Sequence, residues 1–370
     1  MRIFLIFLLI LLLLNESANA LTITDSSGSQ IEIKRADRVV CLNGDCLEAL
    51  TIIGVKDKIV GLSTNALQKP FAPNVTDVGA WNNPNIEAII NLKPDIVITY
   101  VRWPDKTVLE DKLKETGIKV VRLDFYRLDT IFDEFLILGK IMGKEQEVGE
   151  LISFWKSQLD LIKSRTEKAE KVKVYWESYS SYSAAGNGTG WNEIIITAGG
   201  INVFGNENGY PKVDAEKIIA KNPEVIIKSV SSSVFQPYGA ENVSKLVNFY
   251  HEIISRVEIN QTDAGREGRV YVICTDMLHS TFGLIAESAY VAKILHPDLF
   301  PDLDPKELHR KYIESLGMEY KGVWVYPDLQ HSEKTHTKTF KPIPSFEATL
   351  LISGVVIAYI INRMSGHDRP

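Results

Sequence analysis

Hydrophobic and polar positions change period along the chain in a regular order. The stretch LTITDSSGSQIEIK, residues 21–34, alternates on both sides of Ser27-Gly28 and predicts a β-hairpin. Four short apolar runs follow as strands: RVVCL, KIVGLS, PDIVITY and KVVRLD. Between them CLEALTIIGV and VLEDKLKETG have helical spacing. Strand and helix in alternation favour parallel βαβ units. The expectation is a hairpin over 21–37 and a first α/β lobe over 38–127.

Residues 128–170 carry no strand signal. Ile131, Phe132, Phe135, Leu136 and Leu138 recur at helical spacing, with an interruption expected at Gly143. As one helix, 145–170 would be about 40 Å long, enough to link two lobes. The alternation then restarts. KVYWES, EVIIKS and RVYVICT read as strands, and WNEIIITAGG, VSKLVNFYHEII, HSTFGLIAESAYVAKILHP and DPKELHRKYIESL as helices. A second lobe is expected over 171–320. The fold class is therefore α/β: two lobes with mostly parallel central sheets, joined by one long helix, with a ligand cleft between them. Beyond residue 320 the chain loses periodicity and predicts a polar linker over 321–344.

The two ends have a different pattern. MRIFLIFLLILLLLNESANA has the basic start, apolar run and small-residue ending of an export signal, residues 1–20. No Cys follows it, which argues against an N-terminal lipid anchor. A second uncharged run, 348–361, precedes Arg363 and Arg369 and predicts a C-terminal hydrophobic anchor over 345–363 with a cytoplasmic basic tail. Its order of short motif, apolar run and basic tail resembles archaeal C-terminal sorting signals. Both ends place the body on the extracytoplasmic face of the membrane, where Cys41 and Cys46 are close enough to form a disulfide. Cys274 is left over, in a strand.

Composition narrows the function. With 45% apolar and 24% charged residues the chain is globular rather than disordered, and a net charge of −6 argues against nucleic acid. No G-x-S-x-G elbow, H-E-x-x-H or zinc-spaced Cys/His cluster is present, so an enzyme is not expected. A receptor for a naked transition metal is disfavoured too, because the body offers only His251, His279 and His296 outside the closing helix and tail.

One device occurs twice. In NPNIEAIINLKPDIVIT, 83–99, and YPKVDAEKIIAKNPEVIIKS, 210–229, a Pro-led turn opens a short helix, and a second Pro precedes an apolar strand. Glu87 and Glu216 each stand seven positions before that second proline, Pro94 or Pro223. An acid in a first helical turn stabilises the dipole anywhere, but that does not require the same position in both lobes.

This order of hairpin, first lobe, PNIEAIINLKPDIVI, linking helix, second lobe and closing DPKELHRKYIESL resembles the substrate-binding proteins of iron-chelate and cobalamin ABC importers, over 38–318. The resemblance implies a ligand held between the lobes and one acid per lobe, Glu87 and Glu216, docking on the permease and its ATPase. It also implies a monomer without cofactor, whose cargo is an iron(III)-siderophore or, alternatively, a corrinoid or haem; a surface adhesion protein is the remaining alternative.

Ligands of parallel α/β sheets bind beyond the carboxyl ends of the strands. Those loops nominate Asn43, Asp45, Trp81, Asn82, Tyr100, Arg102 and Trp103 in the first lobe. In the second they nominate Glu177, Tyr179, Trp191, Tyr210, His279 and Phe282. The aromatic residues suit a bulky ligand, and Arg102 suits an anionic chelate.

Overall fold

The computed structural model describes residues 20–329. The signal-like run, the uncharged run at 348–361 and most of the expected linker lie outside the described residues. Among the described residues no helix is long and apolar enough to cross a membrane.

Strands β1 (Leu21–Thr24) and β2 (Gln30–Ile33) pair antiparallel, Leu21 opposite Ile33. Asp25 closes their turn by accepting from the amides of Ser27 and Ser29 at 2.9 and 3.0 Å. Its other oxygen accepts from the Arg122 amide at 3.0 Å, which docks the hairpin on the first lobe.

That lobe runs β3 (Val39–Cys41), α1 (Gly44–Ile52), β4 (Ile59–Leu62), α2 (Thr64–Leu67), β5 (Thr76–Asp77), β6 (Gly79–Ala80), β7 (Asn83–Pro84), α3 (Ile86–Leu92), β8 (Ile96–Thr99), α4 (Lys106–Leu113) and β9 (Lys119–Arg122). Its five-stranded sheet has the order β5-β4-β3-β8-β9 and every pair is parallel. Val40, Leu42, Val78, Ile89, Val97 and Leu109 form its core. Cys41 and Cys46 are disulfide-bonded across the start of α1. Asn43 caps that helix, accepting from the Cys46 amide at 2.6 Å.

The connection over 128–170 breaks at Gly143, where an interruption was expected. It is two helices, α5 (Ile131–Met142) and α6 (Glu145–Thr166). Gly143 separates them at φ 67°, a left-handed conformation that glycine adopts without a Cβ penalty. The longer helix, with 22 residues, measures about 33 Å. Its buried stripe includes Trp155, whose ring stacks on Phe282 at 5.5 Å.

The second lobe runs β10 (Val172–Glu177), α7 (Gly190–Thr197), β11 (Gly200–Asn202), α8 (Ala215–Lys221), β12 (Val225–Val230), α9 (Ser244–Ile254), α10 (Val257–Asn260), α11 (Asp263–Arg266), β13 (Val270–Cys274), α12 (Gly283–Leu295), α13 (Pro305–Ser315) and β14 (Val325–Tyr326). The sheet order is β11-β10-β12-β13-β14, parallel except for the last pair. Strand β14 moves the start of the expected linker. Residues 321–327 belong to the lobe, with Trp324 buried and its indole donating to the Asp276 carbonyl at 2.8 Å. A two-residue strand in KGVWVYP has too little periodicity to be recognised as one.

Candidate functional site

The carboxyl ends of both sheets carry aromatic loops. In the first lobe Trp81, Tyr100 and Tyr126 meet edge to face in series, with ring centres 5.6 and 5.5 Å apart. In the second, Trp191 is the hub. It stacks on Trp176 at 5.8 Å and takes Tyr179, Tyr210 and His279 at 5.3, 5.8 and 5.1 Å. Edge-to-face pairs of this kind add about 0.5–1.5 kcal/mol beyond burial and hold the rings in fixed orientations. Tyr179 and Tyr210 remain half exposed, while Trp191 is buried with its indole N–H unpartnered. The two aromatic surfaces approach at Gly190, where an added Cβ would lie 3.3 Å from the Tyr126 carbonyl and 2.8 Å from His279 Nε2.

Below the aromatic surfaces a buried polar network joins the lobes. Asp45 accepts from the Tyr100 hydroxyl at 2.7 Å and contacts Ser280 of the second lobe. Glu48, fully buried, takes the Lys69 ammonium at 2.6 Å and the hydroxyls of Ser280, Thr281 and Tyr312. Burial and the neighbouring Glu48 push Asp45 up to about 6. Burial alone would lower Lys69, but Glu48 and Asp276 outweigh it and raise the ammonium above its usual value. Burial, then Asp124, pushes Tyr126 up to about 12. A second bridge pairs Arg127, just after the first lobe, with Glu193 on α7.

The structure sorts the nominated residues. Trp81, Tyr100, Tyr179, Trp191, Tyr210 and His279 come together, with Asp45 beneath Tyr100. Asn82, Arg102 and Trp103 are exposed in neighbouring loops. Three nominations are corrected. Asn43 is buried, with its amide on the Leu123 carbonyl at 3.2 Å, and serves as a helix cap. Phe282 is fully buried between Phe135 and Trp155. Glu177 is buried under the loop, holding Arg256 at 2.8 Å and Lys228 at 3.2 Å. Each was placed at or beyond the carboxyl end of a strand, but its side chain is buried.

Tyr126, Glu48, Lys69, Ser280 and Tyr312 were not nominated. Tyr126 follows a strand and was within reach of the same rule, whereas the other four meet only through the tertiary fold. Among the described residues no group of three or more His, Cys, Asp or Glu could hold a metal ion.

Glu87 and Glu216 are exposed in equivalent settings. Asn85 caps α3 and Asp214 caps α8, each accepting from the amide three residues on, at 3.1 and 2.7 Å. Both helices have seven residues and end on left-handed Lys93 or Asn222, directly before a proline. The sequence echo is thus a structural one.

Two parallel-sheet lobes with facing aromatic surfaces define a two-lobed ligand-binding protein. Residues 39–276 match the Periplasmic binding protein family, and the chain belongs to it. An uncharacterised ABC transporter substrate-binding lipoprotein of Bacillus subtilis, YvrC, is 26% identical over 76% of this chain and 87% of its own length. The vitamin B12-binding protein of Yersinia pseudotuberculosis is 22% identical over 57% of this chain and 76% of its own. The crystal structure of the TroA-like periplasmic binding protein FepB from Veillonella parvula matches with a TM-score of 0.70 at 21% identity, over 82% of this chain and 98% of that one. Substrate-binding proteins of ABC importers work with permease and ATPase partners.

Proposed function

We propose that this chain captures a bulky metal chelate outside the cytoplasm and hands it to an ABC importer, with an iron(III)-siderophore as the foremost cargo. The pair of aromatic surfaces meeting at Gly190 carries the reading. Rigid rings with one polar edge suit a large, partly apolar ligand whose metal is already coordinated. Exposed Arg102 offers a cation for an anionic chelate. A corrinoid is the second reading, favoured by the similarity to a vitamin B12-binding protein.

Glu87 and Glu216 serve as the two docking acids, one for each half of the permease. The uncharged C-terminal run tethers the body to the membrane. Equilibrium dialysis against iron(III) hydroxamate, iron(III) catecholate, cobalamin and haem tests the cargo. Retention of one of them at micromolar concentration is expected, and retention of none overturns the reading.

A further inference from the structure

The polar network under the cleft holds a proton-counting problem. Ser280 Oγ, from the second lobe, lies within hydrogen-bonding reach of Asp45 and Glu48 of the first lobe at once. A hydroxyl has a single hydrogen and can donate to only one of them. The other contact needs a proton carried by a carboxyl group. Glu48 is supplied with donors: the Lys69 ammonium on one oxygen and the Tyr312 hydroxyl on the other, beside Thr281, whose single hydrogen serves either Glu48 or Tyr312. Asp45 has only the Tyr100 hydroxyl besides Ser280. The shared proton therefore belongs on Asp45.

We propose that Asp45 is a proton-operated latch between the lobes, which resets the grip of the cleft. This rests on the reading of that cleft as the ligand site. Protonated, Asp45 donates to Ser280 Oγ, Ser280 donates to Glu48, and the relay ties α1 to the loop after β13. Ionised, Asp45 can only accept, Ser280 can no longer satisfy both acids, and two carboxylates face each other across one hydroxyl. The lobes then loosen. Because Tyr100 bonds the other oxygen of Asp45 and its ring stands between Trp81 and Tyr126, the change reaches the aromatic surface.

Each element packed around Asp45 contributes to the balance: Glu48 on its own helix, Lys69 after α2, Tyr100 and Tyr126 after β8 and β9, Asp276 after β13, and Tyr312 on α13. With Asp45 pushed up to about 6, the latch works across mildly acidic pH. The sign follows from the raised value: the tied form is complete at low pH and is lost as pH rises through 6.

Spin labels on exposed Lys112→Cys in α4 and Lys221→Cys in α8 of the full chain in detergent report the lobe separation; the native cysteines are disulfide-bonded or buried. Without ligand, the distance distribution should be narrow at pH 5 and longer or broader at pH 7.5. Asp45→Asn, an uncharged near-isostere that still has a donor, should keep the narrow distribution at both. A wild-type distribution that does not change with pH overturns the latch, as does an Asp45→Asn protein that follows the wild type. Because no ligand is present, a failure of chelate binding, which would count against the proposed function, is read separately.

Discussion

Gly190 and His279 pack so closely that a Cβ on the glycine would stand 2.8 Å from Nε2 of the imidazole. The missing side chain lets His279 lie against the start of α7 while its Nδ1 stays 2.6 Å from buried Glu287. Gly190→Ala should push the ring away, destabilising the protein by about 1–3 kcal/mol through overpacking. It should also weaken cargo binding by roughly tenfold, about 1.4 kcal/mol. His279→Ala removes the clash, so the double variant should melt higher than the sum of the single losses implies. Thermal denaturation of the four proteins checks this, and strict additivity contradicts the contact.

Glu177 is a structural acid under the cleft. Burial alone would raise its pKa, but Arg256 and Lys228 together hold it below the usual carboxylate value. Its removal leaves the nearly fully buried Lys228 ammonium without its carboxylate, so Glu177→Ala should cost about 3–5 kcal/mol. The depressed value means that the contribution is present above the unfolded carboxyl pKa and is lost as pH falls through the folded one. Urea midpoints should show the loss, and cargo affinity per folded molecule should not change.

His309 predicts the response to acid. It is fully buried, with Nε2 2.8 Å from the Met277 carbonyl, and burial lowers its pKa to about 4. A depressed imidazole must stay neutral to remain inside. Stability is therefore intact above about 6.5 and declines from there towards pH 4, by about 3 kcal/mol in all. In His309→Gln, a melting series between pH 7 and 4 should fall less steeply than in the wild type.

Glu87 and Glu216 stand in the first turns of matched helices and are exposed. Reversing both charges, Glu87→Arg with Glu216→Arg, should forfeit about 0.3–1 kcal/mol of dipole stabilisation per helix. Cargo affinity should persist while stimulation of the partner ATPase disappears. Undiminished stimulation would remove the docking assignment.

Much of the architecture was legible because parallel strands buried on both faces read as continuous apolar runs, and Gly143 and the paired prolines punctuate them. Strand β14 escaped because two residues show no period. The site was legible by position but not by orientation. Tyr179 and Tyr210 stay half exposed, whereas Trp191, Glu177 and Phe282, chosen by the same rule, are buried. Glu48, Lys69 and Tyr312 are separated by 264 positions at the widest pair, and nothing local connects them. Burial of an acid in α1 became intelligible only once Ser280 and Tyr312 were seen to meet it.

The most direct test of the account is tryptophan emission from the chain, corrected for ligand absorption, during titration with iron(III) hydroxamate, iron(III) catecholate, cobalamin and haem. Trp81 belongs to the aromatic group of the first lobe and Trp191 to that of the second, so one of these chelates should quench the emission saturably at micromolar concentration. Trp191→Phe should lose part of that amplitude. Emission that none of the four chelates alters saturably in the wild type would contradict the account.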